Sequence, residues 1–135
     1  MLFLSPTTTT RKLDTMYSYT ATIGRNVGTE PMTITSWEEF IEDVKADMLS
    51  FAIDSAIHVE SVEIHRGKGV WEGVEEESAK ITLLTPAQSD NPDILRRYLS
   101  ENARHYGQDA IALLLTESTL IWNPSVAPEP IEQDP

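Results

Sequence analysis

Between Tyr17 and Ile23 the chain alternates, with Tyr17, Tyr19, Ala21 and Ile23 set against Ser18, Thr20 and Thr22. A period of two predicts a half-buried strand. Residues 24–32, GRNVGTEPM, hold two glycines, an asparagine and a proline, and read as a loop. The period then changes. Trp37, Phe40, Ile41, Val44, Met48 and Phe51 recur at helical spacing and form one apolar stripe. Thr35 and Ser36 each stand three residues before a glutamate, Glu38 and Glu39, a reciprocal capping pattern that starts the helix there.

Ile57 to Ile64 reads as a second strand whose alternation slips phase between Ile57/Val59 and Val62/Ile64, as one bulged residue near Ser61 would cause. Gly67-Lys68-Gly69 reads as a hairpin turn, Val70-Trp71 as the start of the return, and Glu75-Glu76-Glu77 as its interruption. Ala79, Ile81 and Leu83 alternate with Lys80 and Thr82 in a stronger strand. A loop over 86–90 leads to Asn91 as a helix cap, with Pro92 at the first helical position. Ile94, Leu95, Tyr98, Leu99 and Ala103 form a second amphipathic stripe that Gly107 stops. Asp109–Thr116 reads as a buried last strand, which Thr119–Trp122 extends or returns along. Strand, helix, strand, strand, helix, strand is the split βαβ order. It predicts an α+β, ferredoxin-like βαββαβ sandwich, an antiparallel sheet with two helices on one face.

The ends differ from this middle. Residues 1–16 read as a flexible leader with four threonines in a row, and Met16 is a second candidate start. Residues 123–135 hold four prolines and three acids, and read as a disordered tail. The single domain is thus expected over 17–122. The opening apolar run is four residues and its basic residues follow it, the reverse of a secretory signal. The longest apolar run, Ala110–Leu115, is far below the roughly 20 residues of a membrane helix. These readings place the protein in the cytoplasm of a bacterial host.

Composition narrows the chemistry. With no cysteine, disulfides, thiolate nucleophiles and cysteine metal sites are excluded. His58, His65 and His105 are the three histidines. His58-Val59-Glu60 matches a fragment of the zinc-deaminase motif but lacks its cysteines, and His105 suits the C-terminal end of the second helix. No metal site, cofactor or catalytic residue is expected from these patterns. Gly67-Lys68-Gly69 lacks the spacing of a phosphate loop. The Gly24-Arg25-Asn26-Val27-Gly28 loop lies between the first strand and the first helix, where backbone donors and a helix N-terminus can hold an anion. In position it resembles the anion cradle of acylphosphatases. The closing arginine of that cradle falls near Met32 here, and no strand asparagine matches its catalytic one.

A further pattern runs Gly69-x-Trp71-x-Gly73, Glu77-Ser78-x-Lys80, Tyr98 and then Tyr106-Gly107-Gln108 into the last strand. Over about residues 17–116 it resembles an uncharacterised family of small bacterial domains, which implies a fold and no activity. The phase slip at Ser61, the dense acidic run and the missing export signal depart from that family. In size, acidity and lack of cysteine the chain is similar to short accessory proteins of actinobacterial phages.

Charge supplies the last constraint. The formal net charge is −12, from 22 acids and 10 bases, which disfavours direct nucleic-acid binding and anionic membranes. Residues 36–77 alone hold twelve acids and three bases, a local −9. On the first helix Glu38, Glu39, Glu42, Asp43 and Asp47 recur at four-residue spacing along adjoining rows. These five are the candidate partner-binding residues. The leading expectation is a non-enzymatic regulatory module that offers an acidic, nucleic-acid-like ridge to a host protein with a basic surface. The same ridge also reads as a solvated face that keeps a small domain soluble. The alternative is a small anionic-ligand binder or hydrolase, with Arg25, Asn26, Trp71 and Gln108 as its site. A structural subunit that self-associates, as a homodimer for example, through an apolar patch including Ile121 and Trp122 is a third reading.

Overall fold

The computed structural model describes residues 14–125. Most of the expected leader and tail lies outside the described residues. In chain order the elements are β1 (Thr15–Gly24), β2 (Asn26–Val27), β3 (Glu30–Pro31), α1 (Ile34–Asp54), β4 (Ser61–Trp71), β5 (Val74–Thr85), α2 (Asp93–His105) and β6 (Ala112–Thr119). The four long strands form one antiparallel sheet in the order β4-β5-β1-β6. The fold is the predicted α+β, ferredoxin-like sandwich. The two-residue strands β2 and β3 pair within the loop that had been expected over 24–32.

One face of the sheet is the core. Tyr19, Ala21 and Ile23 of β1 and Ala79, Ile81, Leu83 and Thr85 of β5 are buried there. Trp37, Phe40, Ile41, Val44, Met48 and Phe51 of α1 and Leu95 and Leu99 of α2 close over them. Each large apolar side chain fully withdrawn from water contributes about 1.5–3 kcal/mol, so this one layer accounts for the fold. The other face shows Thr20, Thr22, Lys80 and Thr82 to solvent, with Thr20 and Thr82 hydroxyls 3.0 Å apart and Lys80 Nζ donating to Thr22 at 3.2 Å.

Several local expectations are corrected. Helix α1 starts at Ile34, and its cap is Thr33, whose hydroxyl accepts from the Ser36 amide at 3.2 Å. Thr33 gives the same bond a turn earlier than Thr35 or Ser36, and it leaves Glu38 and Glu39 outside any capping box. Helix α1 ends in a Schellman motif, with Ala56 at φ 55° and the Ile57 amide donating to the Ala52 carbonyl at 2.9 Å. Strand β4 then begins at Ser61, which pairs with Leu84, while the Glu60 amide also donates to the Leu84 carbonyl at 2.8 Å, two residues against one at the expected phase slip. Gly67-Lys68-Gly69 lies within β4. The true turn is Glu72-Gly73, between the paired Trp71 and Val74, at φ 50° and 82°. Positive φ at both central residues is the type I′ geometry that matches the twist of a hairpin.

The shifted turn makes Glu75–Glu77 part of β5. Helix α2 begins at Asp93, with Pro92 as a cap residue and no side-chain cap; Asn91 instead donates its amide to the Ser89 hydroxyl at 3.0 Å. Gly107, at φ 68°, stops α2 as predicted, and the Gln108 amide donates to the Ala103 carbonyl at 2.8 Å. The last strand runs Ala112–Thr119, displaced three residues towards the C-terminus from its expected span, and as the edge strand of the sheet it is mostly exposed where a buried strand is expected. Among the described residues no helix is long and apolar enough to cross a membrane.

Candidate functional site

Strand β1 stops pairing with β5 at Gly24–Ser78, while β4 and β5 continue as a two-stranded ribbon to the turn at Glu72-Gly73. Where β1 leaves the sheet, the ribbon and the β2–β3 loop enclose an open cleft of about 330 Å³. Arg25, Asn26, Lys68, Glu75, Glu76 and Glu77 line it, with Thr29, Pro31 and Val74. The cleft therefore holds three successive carboxylates, two cations and one carboxamide.

These groups are held in different ways. The Arg25 amide donates to the Glu77 carbonyl at 3.0 Å, which extends the ladder by one bond. The Arg25 guanidinium donates through Nε to the Met32 carbonyl at 2.9 Å and through Nη1 to Glu77 Oε2 at 3.0 Å. Its side chain is 17% exposed and that of Glu77 is 50% exposed, so the arginine is the anchor and the carboxylate the accessible partner. Glu76 lies over Gly24, where a Cβ would stand 2.5 Å from its carboxylate, and Oε1 accepts from the Asn26 amide at 2.8 Å. Gln108 Nε2 donates to the Asn26 carbonyl at 2.8 Å. Asn26 is thus held through its backbone on both sides. Its side-chain amide and the Glu75 carboxylate make no hydrogen bond among the described residues, and both residues line the cleft.

Of the four residues expected at a ligand site, the structure brings Arg25, Asn26 and Gln108 together. Trp71 stands at the ribbon tip, 54% exposed and outside the cleft lining. Arg25 donates through Nε to Met32 and through Nη1 to Glu77, which leaves three of its five guanidinium N–H groups, one on Nη1 and both on Nη2, without a bond among the described residues. Sequence reasoning missed Lys68 and Glu75–Glu77 as lining residues. The signal was Gly73: placing the positive-φ turn there puts the acidic run in a strand beside Arg25.

The five acids of α1 do not form a uniform ridge. Glu38 accepts both terminal nitrogens of Arg66 on β4, at 2.6 and 2.7 Å. That bond holds the Glu38 carboxyl below its usual range and raises the Arg66 guanidinium. Asp43 accepts the Tyr106 hydroxyl and Asp47 accepts the Asn102 amide, both across the α1–α2 seam. A third bond of this kind joins Tyr98 to Asp54 at 2.5 Å. Partial burial, with the Asp43 charge in support, pushes Asp47 up to about 6. Desolvation and the Asp43 bond raise Tyr106 as well. Glu39 is exposed, and Glu42 lies 3.9 Å from Lys45 on its own helix.

The remaining candidates are peripheral. His58 and His65 lie beside Glu60 and Glu63 at 3.6 and 3.0 Å, and among the described residues no group of three or more possible metal ligands forms. His105 is the last residue of α2 and meets Tyr106 edge-on. Ile121 is 90% exposed, while Trp122 donates to Asp14 at 3.1 Å.

A one-faced βαββαβ sheet with a charged cleft at one end defines the class, a small α+β domain. No protein-family model and no curated protein matches the chain. Among solved structures it is similar to a phage SAM lyase in its apo state, with 18% identity, 86% of each chain covered and a TM-score of 0.57. A phage SAM lyase in complex with S-methyl-5′-thioadenosine is similar at 19% identity, with 87% of each chain covered and a TM-score of 0.51. A DUF3240 family protein of Shewanella baltica, 13% identical, covers 79% of this chain and 91% of its own at a TM-score of 0.42. The expectation that the protein is not an enzyme is corrected by the first two. The architecture that had been read as a non-enzymatic module is one that a phage lyase uses.

Proposed function

We propose that the protein is a lyase acting on S-adenosylmethionine, with the cleft between the β4–β5 ribbon and the β2–β3 loop as its ligand site. The observation that carries this reading is the charge order of the cleft. Glu75 and Glu77, on one face of β5, and Glu76, on the other, line a space that Lys68 and Arg25 also border. S-adenosylmethionine carries a sulfonium and an ammonium against one carboxylate, so its cations match the acidic row and its carboxylate matches Lys68. A protein of net charge −12 also attracts a cationic substrate over long range. The fold likeness to a SAM lyase selects this ligand from others of the same charge pattern.

In the reaction one carbon–sulfur bond breaks and its electron pair stays on sulfur. The sulfonium becomes the neutral thioether S-methyl-5′-thioadenosine. The four-carbon fragment closes its open valence internally, by losing a proton or by attack of its own carboxylate, so no oxidant or water is consumed. In this reading Glu77, fixed by Arg25, and Glu75, which has no hydrogen-bond or ion-pair partner among the described residues, bind the cationic centres. The test is incubation with S-adenosylmethionine and chromatography for released S-methyl-5′-thioadenosine. Release by the wild type, lowered at least tenfold in Glu75→Gln and Glu77→Gln proteins that keep their circular dichroism, supports the reading. Absence of release by the wild type overturns it.

A further inference from the structure

We infer that the Asn26 side-chain amide is the specificity-determining contact for the adenine base, and that Glu76 and Gln108 are the residues that position it. The inference rests on the ligand reading above and adds to it the group that selects the base. Asn26 has both backbone hydrogen-bonding groups fixed by side chains distant in sequence, its N–H by Glu76 and its C=O by Gln108, each at 2.8 Å. A two-residue strand at the mouth of a cleft does not need such bracing to fold.

Both braces are themselves preset. Glu76 fits only because position 24 lacks a Cβ. Gln108 is delivered by the Schellman turn of α2, in which its own amide donates to Ala103. With the backbone held, the cleft-lining residue Asn26 keeps a carboxamide bonded to no described residue. A carboxamide offers one acceptor and one donor side by side. Adenine offers the complement, an amino donor beside a ring-nitrogen acceptor, and the two meet through paired hydrogen bonds. On the N6/N7 edge hypoxanthine presents two acceptors, O6 and N7, so the carboxamide oxygen is left without a donor whichever way it is turned.

The experiment measures binding of S-methyl-5′-thioadenosine and S-methyl-5′-thioinosine to the full chain by calorimetry. The wild type is expected to favour the adenosine form at least tenfold. Asn26→Leu, of similar size and without hydrogen bonds, is expected to bring that ratio near one while the melting temperature stays within a few degrees. Gln108→Met, which removes the donor to Asn26 without adding charge, is expected to reduce the ratio several-fold, and Gln108→Lys, which restores a donor, to recover part of it. A ratio near one in the wild type, or a ratio unchanged in Asn26→Leu, overturns the inference. If the adenosine form is preferred but no thioether is released from S-adenosylmethionine, the lyase reading falls and the inference stands. If neither nucleoside binds, the inference falls, and release of S-methyl-5′-thioadenosine from S-adenosylmethionine decides the lyase reading.

Discussion

Two acidic regions of this molecule have similar composition and opposite organisation. Along the α1–α2 seam, Asp43, Asp47 and Asp54 each accept a hydrogen bond from α2, and Glu38 is forked to Arg66. These carboxylates hold elements together. In the cleft, Glu75 has no partner among the described residues, Glu76 accepts a backbone amide and Glu77 shares one arginine nitrogen. There the carboxylates keep acceptor capacity for something outside the chain. A row of acids in sequence therefore says little about whether its charge is available, because the donors that use it come from elements far along the chain.

The seam can be broken most severely from beneath. Phe40 is fully buried and its ring stacks on Tyr106 at 4.6 Å between centroids. Phe40→Ala leaves a cavity under the seam and is expected to cost about 3–5 kcal/mol in urea unfolding. It removes the support of both Tyr106 and the turn that carries Gln108, so ligand binding falls with stability. A cost below about 1 kcal/mol would mean that the seam does not depend on the core beneath it.

A smaller and opposite effect is expected at Asp47, where the carboxyl is pushed up to about 6 by partial burial and the Asp43 charge. The raised value means that the folded state holds this proton more tightly than the unfolded chain. Stability contributed by the protonated form is present below pH 4 and is lost as pH rises through 4 to 6. Asp47 is partly exposed, so after solvent screening the loss is about 1 kcal/mol. Asp47→Asn keeps an acceptor for Asn102 and is expected to regain that amount at pH 7, with a flatter melting profile between pH 4 and 6. A mutant less stable than the wild type at pH 7 would show that the charge is favourable where it stands. Tyr106→Phe keeps the ring stack and drops the hydroxyl, at a cost of roughly 0.5–1 kcal/mol, because Asp43 is exposed and water replaces the lost donor.

Apolar spacing made the fold legible because each period reports which face is buried. The stripe from Trp37 to Phe51 and the alternation from Ala79 to Leu83 appear in the core residue for residue. Turn placement was less legible. Gly67 and Gly69 read as a turn by composition, yet both sit in β4, while Glu72, a residue with little preference for positive φ, occupies half of the real turn. That error of four residues hid the site, because it removed Glu75–Glu77 from the strand beside Arg25. The role of Gln108 was half visible: the Tyr-Gly-Gln pattern marked the position, but its partner, the Asn26 carbonyl, lies 82 residues away and only the fold brings them together.

The sharpest separation of the two regions is the substitution with the least effect on stability. Gly24 lies in β1 with an ordinary strand φ, so alanine is allowed there by the backbone. Its Cβ would meet Glu76 carboxylate atoms at 2.5–2.6 Å, the far end of a flexible side chain that can swing away. A strand glycine replaced by alanine gains roughly 0.5 kcal/mol from the reduced freedom of the unfolded chain, which offsets the small cost of that movement. The expected melting temperature is therefore close to that of the wild type, and the α1–α2 seam is untouched. Once displaced, however, Glu76 no longer accepts from the Asn26 amide, and one of the two braces on that residue is gone. Amide exchange at Asn26 should rise about tenfold, the kinetic equivalent of losing one hydrogen bond of ~1.4 kcal/mol, while exchange in the β1–β5 ladder stays as it was. Affinity for S-methyl-5′-thioadenosine should fall with it. If Gly24→Ala instead lowers stability and leaves exchange at Asn26 unchanged, the Glu76 contact belongs to the architecture of the sheet end, and the contrast between structural and available carboxylates stops at Glu75.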